Sequence, residues 1–182
     1  MIVGITGTNG AGKGTVVEYL MEKGFAHYSA SGFITEEIER RGLPVNRDSM
    51  RLVANDLRRT HNPAYLFEAL YQRALDTGGN VVLEAPRAIA EGTFLIEKGV
   101  PLIAVDADRR TRYDRIAKRG SVKDNVTFEE FSTQEDREMS QTEAHDMNIA
   151  GVMKMATYTV HNNGSVEDLR SQVDTILAEL ST

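Results

Sequence analysis

Residues 7–15 read Gly7-Thr8-Asn9-Gly10-Ala11-Gly12-Lys13-Gly14-Thr15, and no other stretch limits the fold as strongly. Gly7 and Gly12 enclose four residues and Lys13 follows at once, which is the spacing of a phosphate-binding loop. The run before it, Met1 to Thr6, is apolar and β-rich, as a strand buried on both faces should be. The run after it, Val16 to Lys23, reads as a helix. Strand, glycine loop and helix in that order predict an α/β fold with the loop at the carboxyl end of its first strand.

The loop's composition has a physical reason. A triphosphate carries several negative charges and needs many donors at close range. Glycines at 7, 10, 12 and 14 let the backbone curl so that successive N–H groups point inward as an anion nest. The helix that starts near Lys13 adds its positive end. Lys13 supplies a full charge for the β- and γ-phosphates, and Thr15 offers a hydroxyl to a phosphate or to Mg²⁺. ATP and Mg²⁺ are therefore the expected cofactors, with Gly7, Asn9, Gly10, Ala11, Gly12, Lys13, Gly14 and Thr15 as their contacts.

Composition narrows the class. A chain of 182 residues is long enough for one α/β domain with a substantial core. The formal net charge is −6 and the pI about 5.3, which argues against a general nucleic-acid binder. Without cysteine, thiol, disulfide and zinc-thiolate chemistry are all closed. No apolar run approaches the ~20 residues a membrane-spanning helix needs. The first strand begins at Met1, so no signal peptide is expected, and a cytoplasmic protein, monomeric or a small homo-oligomer, is the expectation.

Further along, apolar runs at 25–30, 80–84, 100–105 and 156–161 read as four more strands separated by helical patterns. Five short strands alternating with helices predict a three-layer fold, a parallel sheet covered on both faces, within one domain over residues 1–182. Ser31 reads as the cap of a helix to Arg41, Asn62-Pro63 as the start of another, and Thr127 with Glu130 and Ser165 with Asp168 as helix caps. Residues 31–78 form a helical excursion and residues 120–150 a polar one. Both should emerge at the carboxyl ends of the strands, where ligands sit in such sheets.

The Gly-Lys-Gly-Thr ending of the loop resembles adenylate kinase and its relatives among the nucleoside monophosphate kinases. That resemblance implies transfer of the γ-phosphoryl group of ATP to a nucleoside or deoxynucleoside monophosphate, with residues 31–78 binding the acceptor and 120–150 acting as a lid. Glu84 ends the third strand and is expected either to hold Mg²⁺ through water or to accept a proton. Arg87 resembles the arginine that grips the acceptor phosphate. Asp114 to Arg119 is similar to the run that enters the lid, which implies that Arg115 lies against the ATP base or ribose and that Arg119 touches phosphate. Arg137 is a further lid candidate, and Asn163, in the Asn162-Asn163-Gly164-Ser165 turn, would lie beside the adenine. Ser31 keeps a place in the acceptor run, but the arginine of that run is here Glu36, so Arg58 or Arg59 would have to replace it.

Two other readings stay open. Size, loop and final turn are also similar to dephospho-coenzyme A kinases, which would make the acceptor a hydroxyl and Glu84 a base. A nucleotide-driven switch under the control of a macromolecular partner is compatible with the loop alone. The four histidines show neither triad nor metal spacing, so none is assigned a catalytic role.

Overall fold

The computed structural model describes residues 1–119, 127–139 and 148–181, and the side chains of Arg47, Arg119, Arg137 and Glu138 lie outside the described set. Strands β1 (Ile2–Gly7), β2 (Ala26–Ser29), β3 (Val81–Glu84), β4 (Leu102–Asp106) and β5 (Tyr158–His161) form one sheet of order β2-β3-β1-β4-β5. All of its pairings are parallel, as expected.

Strand parity assigns side chains to two apolar layers. Val3 and Ile5 of β1, Val82 of β3, and Ile103 and Val105 of β4 pack with Val16, Val17 and Leu20 of α1 (Lys13–Glu22) and Leu169 and Val173 of α9 (Val166–Leu180). Val81, Leu83 and Leu102 point to the other side, against α2 (Ala30–Arg40), α3 (Arg47–Thr60), α4 (Tyr65–Thr77), α5 (Ile89–Glu97) and α8 (Ile149–Lys154). Burial on both faces removes any need for polar alternation in the central strands β1, β3 and β4, which is why they read as continuous apolar runs, whereas the edge strands β2 and β5 carry polar residues. Glu84 shares the parity of Val82, so its carboxylate lies on the face that carries the glycine loop.

The helical excursion is built differently from its sequence outline. The cap of α2 is Ser29, not Ser31: its Oγ accepts from Gly32 N–H at 3.0 Å, and the helix starts directly as β2 ends. Asn46 caps α3, taking the N–H groups of Asp48 and Ser49 at 3.0 Å each. Asn62 accepts from Ala64 N–H at 2.8 Å, but helical structure begins only at Tyr65. Leu66, Phe67, Leu70 and Ala74 of α4 are buried in the sheet-facing core. So α4 is the crossover helix that returns the chain to β3, with α2 joining it against β2.

Thr127 with Glu130 and Ser165 with Asp168 form the expected caps. Helix α8 was not expected; its six residues are too few to show a period, and Gly151 sits within it. Asn148 caps it, accepting from Gly151 N–H at 2.8 Å. No helix among the described residues is long and apolar enough to cross a membrane.

Candidate active site

Three of the loop glycines are required by conformation and by packing. Gly7, Gly10 and Gly12 have φ of 141°, 77° and 99°, in the region other residues rarely occupy. A side chain at Gly7 would meet the Val105 carbonyl, one at Gly10 the Arg112 carbonyl, and one at Gly12 the Asn162 amide. Gly14 differs: a Cβ there would meet nothing within 4 Å. Ala11 is buried, Asn9 is exposed at the tip, and Thr15 is half-buried on the first turns of α1. Lys13 turns back over the loop, donating from Nζ to the carbonyls of Gly7 at 2.9 Å and Thr8 at 2.8 Å.

Asn162 holds this cradle from the β5 side. Its Nδ2 donates to the Ala11 carbonyl at 2.8 Å and its backbone N–H to the Asp106 carbonyl at 2.7 Å. Arg115, on α6 (Arg109–Arg119), donates from Nη2 to the Asn162 carbonyl at 2.9 Å. Asn163 instead accepts from Asp108 N–H at 2.8 Å and so ties its turn to the end of β4. The side chain that reaches the glycine loop is that of Asn162. Asn162→Ala leaves the Ala11 carbonyl buried without its donor. It should cost about 1–3 kcal/mol of stability and weaken MgATP binding, as measured by denaturant unfolding and calorimetric titration.

Two buried polar atoms in this region have no hydrogen-bond partner among the described residues: the Thr8 hydroxyl and Arg115 Nη1. Buried polar groups are nearly always satisfied, so orphans beside a glycine cradle suit a ligand rich in acceptor oxygens. The residues present therefore fit a nucleoside triphosphate.

At the end of β3, Glu84 Oε2 lies 2.9 Å from His27 Nε2 of β2. An ionised carboxylate only accepts, so Nε2 carries the proton. That bond holds the Glu84 carboxyl below its usual range, and the Lys13 and Arg87 charges act in the same direction. The chain then turns sharply. Ala85 has φ 69°, a left-handed conformation that costs of order 1 kcal/mol outside glycine. Ala85 N–H donates to the Ile5 carbonyl at 2.8 Å, and the Thr6 hydroxyl to the Pro86 carbonyl at 3.0 Å. The Arg87 carbonyl accepts from Asn148 N–H at 2.7 Å.

Arg58 commits one edge of its guanidinium to a carboxylate. Its Nε and Nη2 donate to Glu91 Oε1 at 3.1 and 2.7 Å, and its side chain is 9% exposed. Glu36, where the acceptor run of the resembling family has arginine, pairs with Arg73 at 2.7 Å. Ser31 is exposed on the first turn of α2.

The basic helix α6 is not a uniform solvated face. Arg112 donates through both terminal nitrogens to the Glu135 carboxylate of α7 (Phe128–Met139), and from Nε to the Ala107 carbonyl at 2.7 Å. Arg109 adds contacts to Glu135 at 2.9 Å and Asp136 at 2.6 Å. The side chains of Arg119 and Arg137, and residues 120–126 and 140–147 of the expected lid, lie outside the described residues. His27, Glu91 and Asn162 are the site residues whose roles the sequence did not announce.

A glycine loop between β1 and α1, in an all-parallel sheet of this strand order, defines a P-loop kinase fold. Solved structures share it. A Thermus thermophilus protein is 23% identical with a TM-score of 0.65, covering 99% of this chain and 97% of its own. Shikimate kinase from Acinetobacter baumannii, solved with shikimate, is 16% identical with a TM-score of 0.63, covering 98% and 93%. A sugar kinase from a Janibacter species is 16% identical with a TM-score of 0.54, covering 97% and 94%. At these identities the likeness is one of fold.

Sequence comparison is more specific. A UPF0200 protein of Thermococcus kodakarensis is 31% identical over 99% of this chain and 98% of its own length. One of Pyrobaculum aerophilum is 29% identical over 98% of each. The chain belongs to the UPF0200 family, and its residues 3–150 match the family model described as an AAA domain.

Proposed function

We propose that this protein is a MgATP-dependent phosphotransferase for a small acceptor, with a nucleoside or deoxynucleoside monophosphate as the first reading. The observation that carries it is the glycine cradle with a buried Thr8 hydroxyl and Arg115 Nη1 beside it that have no partner among the described residues. When bound, MgATP supplies the transferable γ-phosphoryl group. Lys13 and the loop amides hold the phosphates, Thr15 and Glu84 serve the metal, Glu84 through water, and Arg115 takes the nucleoside side. Arg119 and Arg137 add positive charge from the lid. Arg87 and Arg58 hold the acceptor phosphate, and Ser31 lies on the acceptor helix. The bond from the γ-phosphorus to the β–γ bridging oxygen breaks as one to the acceptor oxygen forms, and ADP leaves. A phosphate acceptor is already anionic, so little base catalysis is needed.

The hydrogen bond from His27, which keeps Glu84 ionised and oriented at the end of β3, allows a second reading, a hydroxyl acceptor, in which Glu84 takes the hydroxyl proton. ADP release from MgATP separates the two. The panel is each ribo- and deoxyribonucleoside monophosphate, dephospho-coenzyme A, free nucleosides, shikimate and simple sugars. A large stimulation by a monophosphate supports the first reading, and by a hydroxyl compound alone the second. Stimulation by none of them, with MgATP still bound, overturns both and leaves the partner-controlled switch.

A further inference from the structure

Glu91 was assigned no role by its sequence position, yet its carboxylate is completely buried, at 0% exposure. It sits in the first turn of α5, where a glutamate commonly reaches back to a free N–H at the helix start while remaining in solvent. Here Oε2 accepts from the N–H groups of Arg87 at 2.8 Å and Ala88 at 3.1 Å. Oε1 accepts from Nε and Nη2 of Arg58, on α3. Four N–H bonds saturate the carboxylate, and Arg58 neutralises its charge. A cap alone would need only the amides, and an ion pair alone would need only Arg58.

We infer that Glu91 is a positioning residue for the acceptor site, orienting both arginines proposed to grip the acceptor; this rests on the phosphotransferase reading above. One of its oxygens fixes the backbone from which Arg87 projects. The other holds the Nε–Nη2 edge of Arg58, so the Nη1 edge, which makes no hydrogen bond among the described residues, keeps a set direction. The same carboxylate joins α3 of the excursion to the β3–α5 turn, so the two arginines keep a fixed separation. Planar forks give directional bonds to phosphate oxygens only when so held.

The test uses the full chain and two variants. Glu91→Gln removes the charge. Glu91→Asp keeps the charge beside Arg58 but is one methylene too short to reach the amides as well, and it is the variant that preserves folding. Three quantities are read: amide exchange at Arg87 and Ala88, MgATP affinity, and KM for the acceptor that the panel identifies. The expected result is exchange faster by about tenfold or more and acceptor KM raised by about tenfold or more, with MgATP affinity within about twofold. Unchanged acceptor KM in a folded variant would overturn the inference, as would a parallel loss of acceptor and MgATP binding, which marks a merely structural role. If wild-type protein uses no acceptor in the panel, the phosphotransferase reading fails. Exchange then decides the linkage by itself: faster exchange at Arg87, Ala88 and α3 with an unchanged phosphate loop sustains it, and unchanged exchange there removes it.

Discussion

Lys13→Met is expected to lower phosphoryl transfer by about 10³-fold while leaving the chain folded. Methionine keeps the length and apolar stem of lysine but no charge, so the β- and γ-phosphates lose their direct cation as negative charge redistributes in the transition state. In the structure Nζ rests on two carbonyls of its own loop, 2.9 and 2.8 Å away. Those bonds are only partly buried, so losing them should cost about 1 kcal/mol, or a Tm lower by roughly 2–4 °C. The measurement pairs single-turnover transfer with MgATP affinity and a thermal melt. Transfer that survives within about tenfold would mean that another cation neutralises the phosphates, and the phosphotransferase reading would have to be rebuilt around it. Near-complete unfolding would show that Lys13 is a structural clamp first.

The loop and its flanks were legible because each constraint there restricts the residue type at its own position. Gly7, Gly10 and Gly12 need positive φ and the close approach of a neighbour, backbone at Gly7 and Gly10 and the Asn162 side chain at Gly12, and both needs can be met only by one residue type. The central strands β1, β3 and β4 were legible because burial on both faces leaves unbroken apolar runs, while the edge strands β2 and β5, half-exposed and partly polar, gave a weaker signal. Helix caps were readable where cap and partner are three residues apart, as at Thr127 and Ser165, and misplaced by two residues where serines at 29 and 31 compete. What escaped depends on contacts across long separations. Glu91 meets Arg58 from 33 residues away, Asn162 meets Ala11 from 151, and His27 meets Glu84 from 57. None of these leaves a periodic or spacing signal. His27 and Glu84 come within reach only because β2 pairs with β3 in one register, Ser29 opposite Glu84.

Glu91→Ala should be among the most destabilising single substitutions in the chain, by about 3–5 kcal/mol, because it leaves the Arg58 charge buried and unpaired. At this chain length that corresponds to a Tm lower by roughly 10 °C or more. The Arg87 and Ala88 amides lose their acceptor as well. Pairing the change with Arg58→Met separates the two costs. Removing both charges takes away the unpaired-cation penalty, so the double variant should recover at least half of the stability lost in Glu91→Ala, with a coupling energy of about 1–3 kcal/mol. Urea midpoints of the four proteins give that energy directly. A double variant no more stable than Glu91→Ala would mean that the two amide bonds, and not the ion pair, carry the cost. Strong recovery has a functional consequence. An ion pair that apolar side chains can replace without loss of stability is poorly explained by stability. The four directed bonds of Glu91, two from Arg58 and two from backbone amides, then count chiefly as geometry, the fixed separation of Arg58 and Arg87.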